Sequence, residues 1–248
     1  MRRLRLLSSQ HRAPATNRML GSLLAFNAGA INAGGFLVVG MYTSHMTGFV
    51  SMVADNLVLG NLKLVLGAVG ALLAFTTGAA VTAVLVNWAR QTHLRSEYAL
   101  PLLFEAALLL LFGLIGATFN RQTPFAVPFT VLILAFIMGL QNALVTKISS
   151  SAIRTTHMTG IITDIGIELG KLFYWNRHGG PVASQVRANR VKLRFYGGLL
   201  GAFVMGGLVG ATGFKHVGFI WVLPLASLLL VLSMPPLLAD LRHFLKTR

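Results

Sequence analysis

The sequence predicts an all-α membrane protein. Six transmembrane helices form two inverted three-helix repeats, each with a short re-entrant or half-membrane helix after a His-Met-Thr-Gly turn. Three observations predict this. Apolar runs of about 20 residues recur along the chain, the length that about 30 Å of hydrocarbon requires. Only 11% of the 248 residues are charged, where a soluble domain carries about 25%. Finally, the passage Thr43-Ser44-His45-Met46-Thr47-Gly48 returns as Thr155-Thr156-His157-Met158-Thr159-Gly160.

The six long apolar stretches cover residues 19–41, 62–88, 99–119, 125–146, 195–214 and 217–238. Two shorter ones, 46–59 and 157–169, are interrupted by polar groups: Asp55 and Asn56 in the first, Asp164 and Glu168 in the second. Their length fits a half-membrane helix better than a full span. Positive charge decides between eight spans and six. With an internal N-terminus, eight spans leave 16 of the 21 Lys and Arg inside, and six spans leave 18. Six obeys the positive-inside rule better and puts both chain ends in the cytoplasm.

The excess of 15 positive charges sits in short connections between apolar runs. It points to a bilayer with anionic lipids on its cytoplasmic face rather than to nucleic acid. Arg2, Arg3 and Arg5 before an apolar run have the look of a signal peptide. The run continues unbroken to Met41 and belongs to the repeat, so an uncleaved first span is expected. Tyr42, Trp88, Tyr98, Trp175, Tyr196 and Trp221 fall near span ends, as interfacial aromatic belts do. There is no cysteine, hence no disulfide and no thiolate metal site.

The repeat extends beyond the turns. Gly29-Ala30-Ile31-Asn32 answers Gly139-Leu140-Gln141-Asn142 at an offset of 110, and the turns answer each other at 112. Gly78 is matched to Gly201 and Leu100-Pro101-Leu102 to Leu223-Pro224-Leu225, both at 123. The organisation expected is a basic cytoplasmic segment 1–18, a first repeat 19–119, a second repeat 125–238 and a basic cytoplasmic tail 239–248. Three spans per unit is odd, so the second copy inserts upside down, as in many secondary transporters.

Several side chains are candidates for chemistry. Thr43 or Ser44, and Thr155 or Thr156, are placed to cap the short helices, and Gly48 and Gly160 to admit a neighbouring helix. A half-helix N-terminus carries partial positive charge and can hold an electronegative group. Hence His45, Thr47, Gly48, His157, Thr159 and Gly160 are substrate-binding candidates; the bland alternative is that they merely satisfy broken backbone. On helical spacing His157, Asp164 and Glu168 share one face, suited to proton relay or cation binding, although Glu168 also fits a simple interfacial pair with Lys171. Glu105 lies deep enough in the third span to need a partner. Asn32 and Asn142 suit interhelical hydrogen bonds or substrate contact, and Gly197, Gly201, Gly206 and Gly210 suit helix packing.

Gly-x-x-Asn-Ala at 29–33, Gly-Leu-Gln-Asn-Ala at 139–143 and the two His-Met-Thr-Gly turns resemble the YoaK-like family of bacterial integral membrane proteins, over residues 19–238. The resemblance implies a multi-pass protein of the bacterial inner (plasma) membrane and names no substrate. Two departures stand out: the family usually shows Asp where Asn32 stands and Asn where Phe49 stands. They put specificity or coupling in question.

The function expected is secondary transport of a small solute, with protons as the candidate drive. The alternative is a haem- or metal-binding membrane protein using His45-Met46 and His157-Met158. No Gly-x-x-x-x-Gly-Lys-Ser/Thr loop and no Gly-x-Ser-x-Gly context occurs, and Ser149, Ser150 and Ser151 alone do not make a nucleophile. No enzyme activity and no cofactor are expected. The partners expected are the lipid bilayer and a small solute, with room left for a homo-oligomer.

Overall fold

The computed structural model describes residues 14–94, 96–118, 126–148, 156–175 and 186–246. The arginines of residues 1–13, Arg121, Ser149 to Ser151 and Thr155 lie outside the described residues. Every regular element described is helical: α1 Pro14–Val39, α2 Met46–Val58, α3 Leu62–Gln91, α4 Ala99–Thr118, α5 Ala126–Ile148, α6 Met158–Phe173, α7 Arg190–His216 and α8 Val222–Lys246. A 3-10 turn, Gly218–Trp221, joins α7 to α8.

Among the described residues, six helices are long and apolar enough to cross a membrane. Their candidate spans are Arg18–Val39, Leu62–Gln91, Ala99–Thr118, Pro128–Ile148, Arg190–His216 and Gly218–Arg242. The two short helices are α2 and α6. Sequence and structure differ chiefly at α7, which starts at Arg190 rather than near residue 195. The Asn189 side chain accepts a hydrogen bond from the Lys192 N–H, so a cap sets this end where apolarity alone does not. Gly40 and Gly60, on either side of α2, have φ of +72° and +73°, a left-handed conformation that lets the chain reverse.

α1 packs most extensively against α7, α3 against α5, and α4 against α8. α1 and α5 also meet, and they are the most enclosed, with 56% and 67% of their apolar windows buried against 22% for α3. The main core lies among them, around Leu24, Ile31, Leu102, Leu134, Met138 and Leu229.

Backbones touch at glycines. A Cβ on Gly29 would run into the Phe203 carbonyl oxygen, and one on Gly206 into that of Phe26, joining α1 to α7. Likewise Gly139 meets the Phe75 carbonyl and Gly78 that of Phe136, joining α5 to α3. The two interfaces match residue for residue: 26 and 29 answer 136 and 139 at 110, while 75 and 78 answer 203 and 206 at 128. Gly78 therefore corresponds to Gly206, not to Gly201, around which a Cβ would find open space. Gly197 is equally open, so of Gly197, Gly201, Gly206 and Gly210 only the last two serve packing. The offset of 123 does hold for α4 and α8, where Leu102, Ala106 and Leu109 answer Leu225, Leu229 and Leu232 in position, and all six are buried.

The N-caps of α3 and α7, Asn61 and Asn189, share the offset of 128. Each is tied to the short helix before it. Asn61 donates to the Asn56 side chain at 3.3 Å, and the Asn189 N–H donates to Glu168 at 2.7 Å. Asn56 and Glu168 are themselves equivalent and both buried. Glu168 also receives Lys171 at 3.0 Å. The Asn189 N–H first, and then Lys171, hold its carboxyl below the usual carboxylate range.

Candidate functional site

Both His-Met-Thr-Gly turns have the same construction. Each histidine is the N-cap, His45 with φ −89° and ψ 71°, His157 with φ −82° and ψ 58°, and neither short helix receives a side-chain capping hydrogen bond. Of the expected caps, Thr43 has a buried hydroxyl without a hydrogen-bond partner, and Ser44 and Thr156 are occupied elsewhere. Ser44 donates from its N–H (3.3 Å) and its hydroxyl (3.0 Å) to Asn32 Oδ1. In the second copy the Thr156 N–H donates to Asn142 Oδ1 at 3.4 Å, and Asn142 Nδ2 donates to the Thr156 hydroxyl at 2.5 Å. Asn32 and Asn142 therefore brace the turns. The acceptor oxygen does this work at position 32, and an Asp there supplies the same acceptor.

Gly48 and Gly160 admit no neighbouring helix. The space a Cβ would fill is taken in each case by the turn's own imidazole, Nδ1 first, from His45 and His157. Glycine is required so that the histidine can lie back over the first helical turn.

The two turns, 112 residues apart in sequence, line one cavity of about 650 Å³. His45, Met46 and Thr47 contribute from one turn, and His157, Met158 and Thr159 from the other. Phe75 and Ala79 of α3 and Ala143, Thr146 and Lys147 of α5 complete the wall. Of the sequence-derived candidates, His45, Thr47, His157, Thr159 and Asn142 line it; Asn32, Gly48 and Gly160 support the turns that do. Lys147 was missed: it falls at the end of a span, where a basic residue ordinarily marks the interface. Its ammonium donates to Asn87 Oδ1 at 3.3 Å.

Asp164, Glu168 and Glu105 lie outside this cavity. His157, Asp164 and Glu168 form no stripe: Asp164 pairs with Lys192 at 3.2 Å, and Glu168 with Lys171 and the Asn189 N–H. Among the described residues no three His, Asp or Glu gather as a metal site would need. Glu105 is wholly buried and accepts from Gln141 Nε2 at 2.9 Å, with Glu105 Oε2 and Gln141 Oε1 unpartnered. This pair replaces Leu228 and Ile31 of the other copy, and Asp164–Lys192 replaces Met52 and Leu64. In both places a polar residue and its partner substitute together for two apolar ones, as the cost of an unpaired polar group in an apolar setting demands. Phe49 is buried in a cluster with Ala68, Ala71, Val131 and Ala135, where α2 packs on α3, away from the two-turn cavity.

Residues 20–234 match the family model described as a protein of unknown function, DUF1275. The chain belongs to the DUF1275 family. A relative of this DUF1275 protein, the UPF0700 transmembrane protein YoaK of Bacillus subtilis (strain 168), is 26% identical over 164 residues, 65% of this chain and 72% of the relative. The YoaK-like resemblance read from the motifs is thus met at the level of family and membrane class. No solved structure matches the chain.

Proposed function

We propose that this DUF1275 protein is a secondary transporter of a small solute, built as an inverted repeat in the bacterial inner membrane with both termini in the cytoplasm. The observation that carries the reading is the single cavity lined by both His-Met-Thr-Gly turns. Two broken segments, one from each half, facing one cavity is the arrangement by which inverted-repeat transporters hold a solute. The likeness is one of architecture; the chemistry must come from the site.

The depths agree with this reading. Asn32 lies seven residues before the end of α1 and Asn142 six before the end of α5, about 10 Å inside each end at 1.5 Å per residue. In the orientation given by charge, those ends face opposite sides, so the two turns flank the midplane. Lys147 then stands at the cytoplasmic mouth, and the cavity of this conformation opens inward. Exchanging α1 for α5 and α3 for α7 preserves the glycine contacts, which suits a rocking motion between two equivalent packings. Protons remain the candidate drive, with His45 and His157 the titratable groups at the cavity.

The chain has no cysteine, so single cysteines at Ser44 and Thr156 can be probed without background. A membrane-impermeant maleimide is expected to reach both from the cytoplasmic side of oriented vesicles. Protection of both by one transported solute would complete the case. Labelling of neither residue from either side, or of both from both sides at once, would overturn it.

A further inference from the structure

We propose that the solute is a small organic carboxylate, an inference that rests on the transport reading and names its substrate class. The wall of the cavity has one sign. Lys147 is its charged side chain, and among the described residues no Asp or Glu lines it. The carboxylates that sequence spacing pointed toward it are engaged elsewhere: Asp164 by Lys192, Glu168 by Lys171 and the Asn189 N–H. Lys147 itself meets the Asn87 amide oxygen and makes no ion pair among the described residues. An ammonium in a site free of carboxylates is matched by an anion.

The other donors agree. Thr47 and Thr159 bring hydroxyls, and His45 and His157 bring imidazoles. Both short helices begin at the cavity without a side-chain cap, so each leaves first-turn N–H groups available to an acceptor. A cation would meet none of the carboxylates that ordinarily hold one. The remaining wall narrows the class further. Phe75, Ala79, Ala143, Met46 and Met158 would leave inorganic phosphate or sulfate against apolar surface, whereas the body of an organic acid would cover it. The volume of about 650 Å³ is ample for such a molecule together with water.

The experiment uses the full chain, purified in detergent for thermal shift and reconstituted into proteoliposomes for uptake of the radiolabelled solute. The probes are lactate, succinate and benzoate, with lactamide and choline as neutral and cationic counterparts. A carboxylate is expected to raise Tm and to accumulate in the proteoliposomes down an imposed gradient. Lys147→Met is expected to weaken its apparent affinity about tenfold, the scale of one charge-assisted contact, while Lys147→Arg retains it. Lys147→Gln serves if the methionine variant does not fold. A response to lactamide or choline instead of carboxylates would overturn the assignment and leave transport standing. Equal carboxylate affinity without the lysine would overturn the site. Carboxylate binding without uptake would support the site and overturn transport, and silence toward every probe would overturn the carboxylate assignment.

Discussion

Replacing Gly206 by alanine should loosen the helix packing, and replacing Gly201 by alanine should not. Both glycines lie in α7, five residues apart. A methyl at 206 overlaps the Phe26 carbonyl oxygen of α1, and the atom it meets is backbone, which cannot swing aside as a side-chain tip can. The helices must therefore part, at a cost of about 1–3 kcal/mol for an overpacked contact. Alanine also favours the helix over glycine by about 1 kcal/mol, and this gain applies equally at 201, where nothing stands within 4 Å of the added carbon. Subtracting one variant from the other cancels propensity and leaves the clash. Unfolding in mixed micelles, or steric trapping in bicelles, reads the difference. Gly206→Ala should be the less stable by about 1–3 kcal/mol, and Gly139→Ala in the matching interface should behave like it. Equal stability of the 201 and 206 variants would refute the backbone-contact reasoning and the corrected register together.

Thr82→Val removes the hydroxyl donated to the Leu140 carbonyl at 3.0 Å; unfolding should register about 0.6 kcal/mol, the average for interhelical hydrogen bonds in a membrane. Asn142→Leu, which unbraces the second turn, should lower Tm and increase maleimide access to a cysteine at Thr156, whereas Asn32→Asp, keeping the acceptor for Ser44, should leave Tm nearly unchanged. Glu168 has a lowered pKa in the fold, so its hold on Asn189 is fully present above the ordinary carboxylate value of about 4.3 and lost as pH falls through its lower folded value. Hydrogen-exchange protection of the Asn189 amide should follow that window, and Glu168→Gln should abolish the dependence. Purified protein should show no Soret band and no stoichiometric transition metal by mass spectrometry; either finding would revive the two His-Met pairs as ligands.

The spans were legible because their signal is local. An apolar run of sufficient length declares itself, and Asp55, Asn56, Asp164 and Glu168 mark the two runs that fold as shorter helices. The duplicated turns were legible because a six-residue motif survives in both copies. Partners distant in sequence were harder to see. Helical spacing put Asp164 on a face with His157 but carried no information about Lys192, whose ammonium reaches it from α7. Gln141 stood inside a quoted motif, and its mismatch with Ile31, beside that of Glu105 with Leu228, was the available signal for the buried pair. Glycine is too common in such a chain to fix register by identity. Gly201 looked as good a match for Gly78 as Gly206 does, and only the carbonyl each one meets separates them.

The crossing of partners between halves has a consequence for biosynthesis. α1 finds its main partner in α7, which begins about 150 residues after α1 ends. At translation rates of about 5–20 residues per second, α1 waits roughly 8 to 30 s before that partner leaves the ribosome. During that interval its glycine face, shaped for another backbone, meets lipid or an insertion factor. The first half cannot reach its native packing by itself, since α1, α3 and α4 all dock on helices of the second. Release of a truncated chain would leave three unpaired grooves in the bilayer, a ready target for membrane proteolysis. Two halves synthesised as separate polypeptides should, by the same logic, rescue one another.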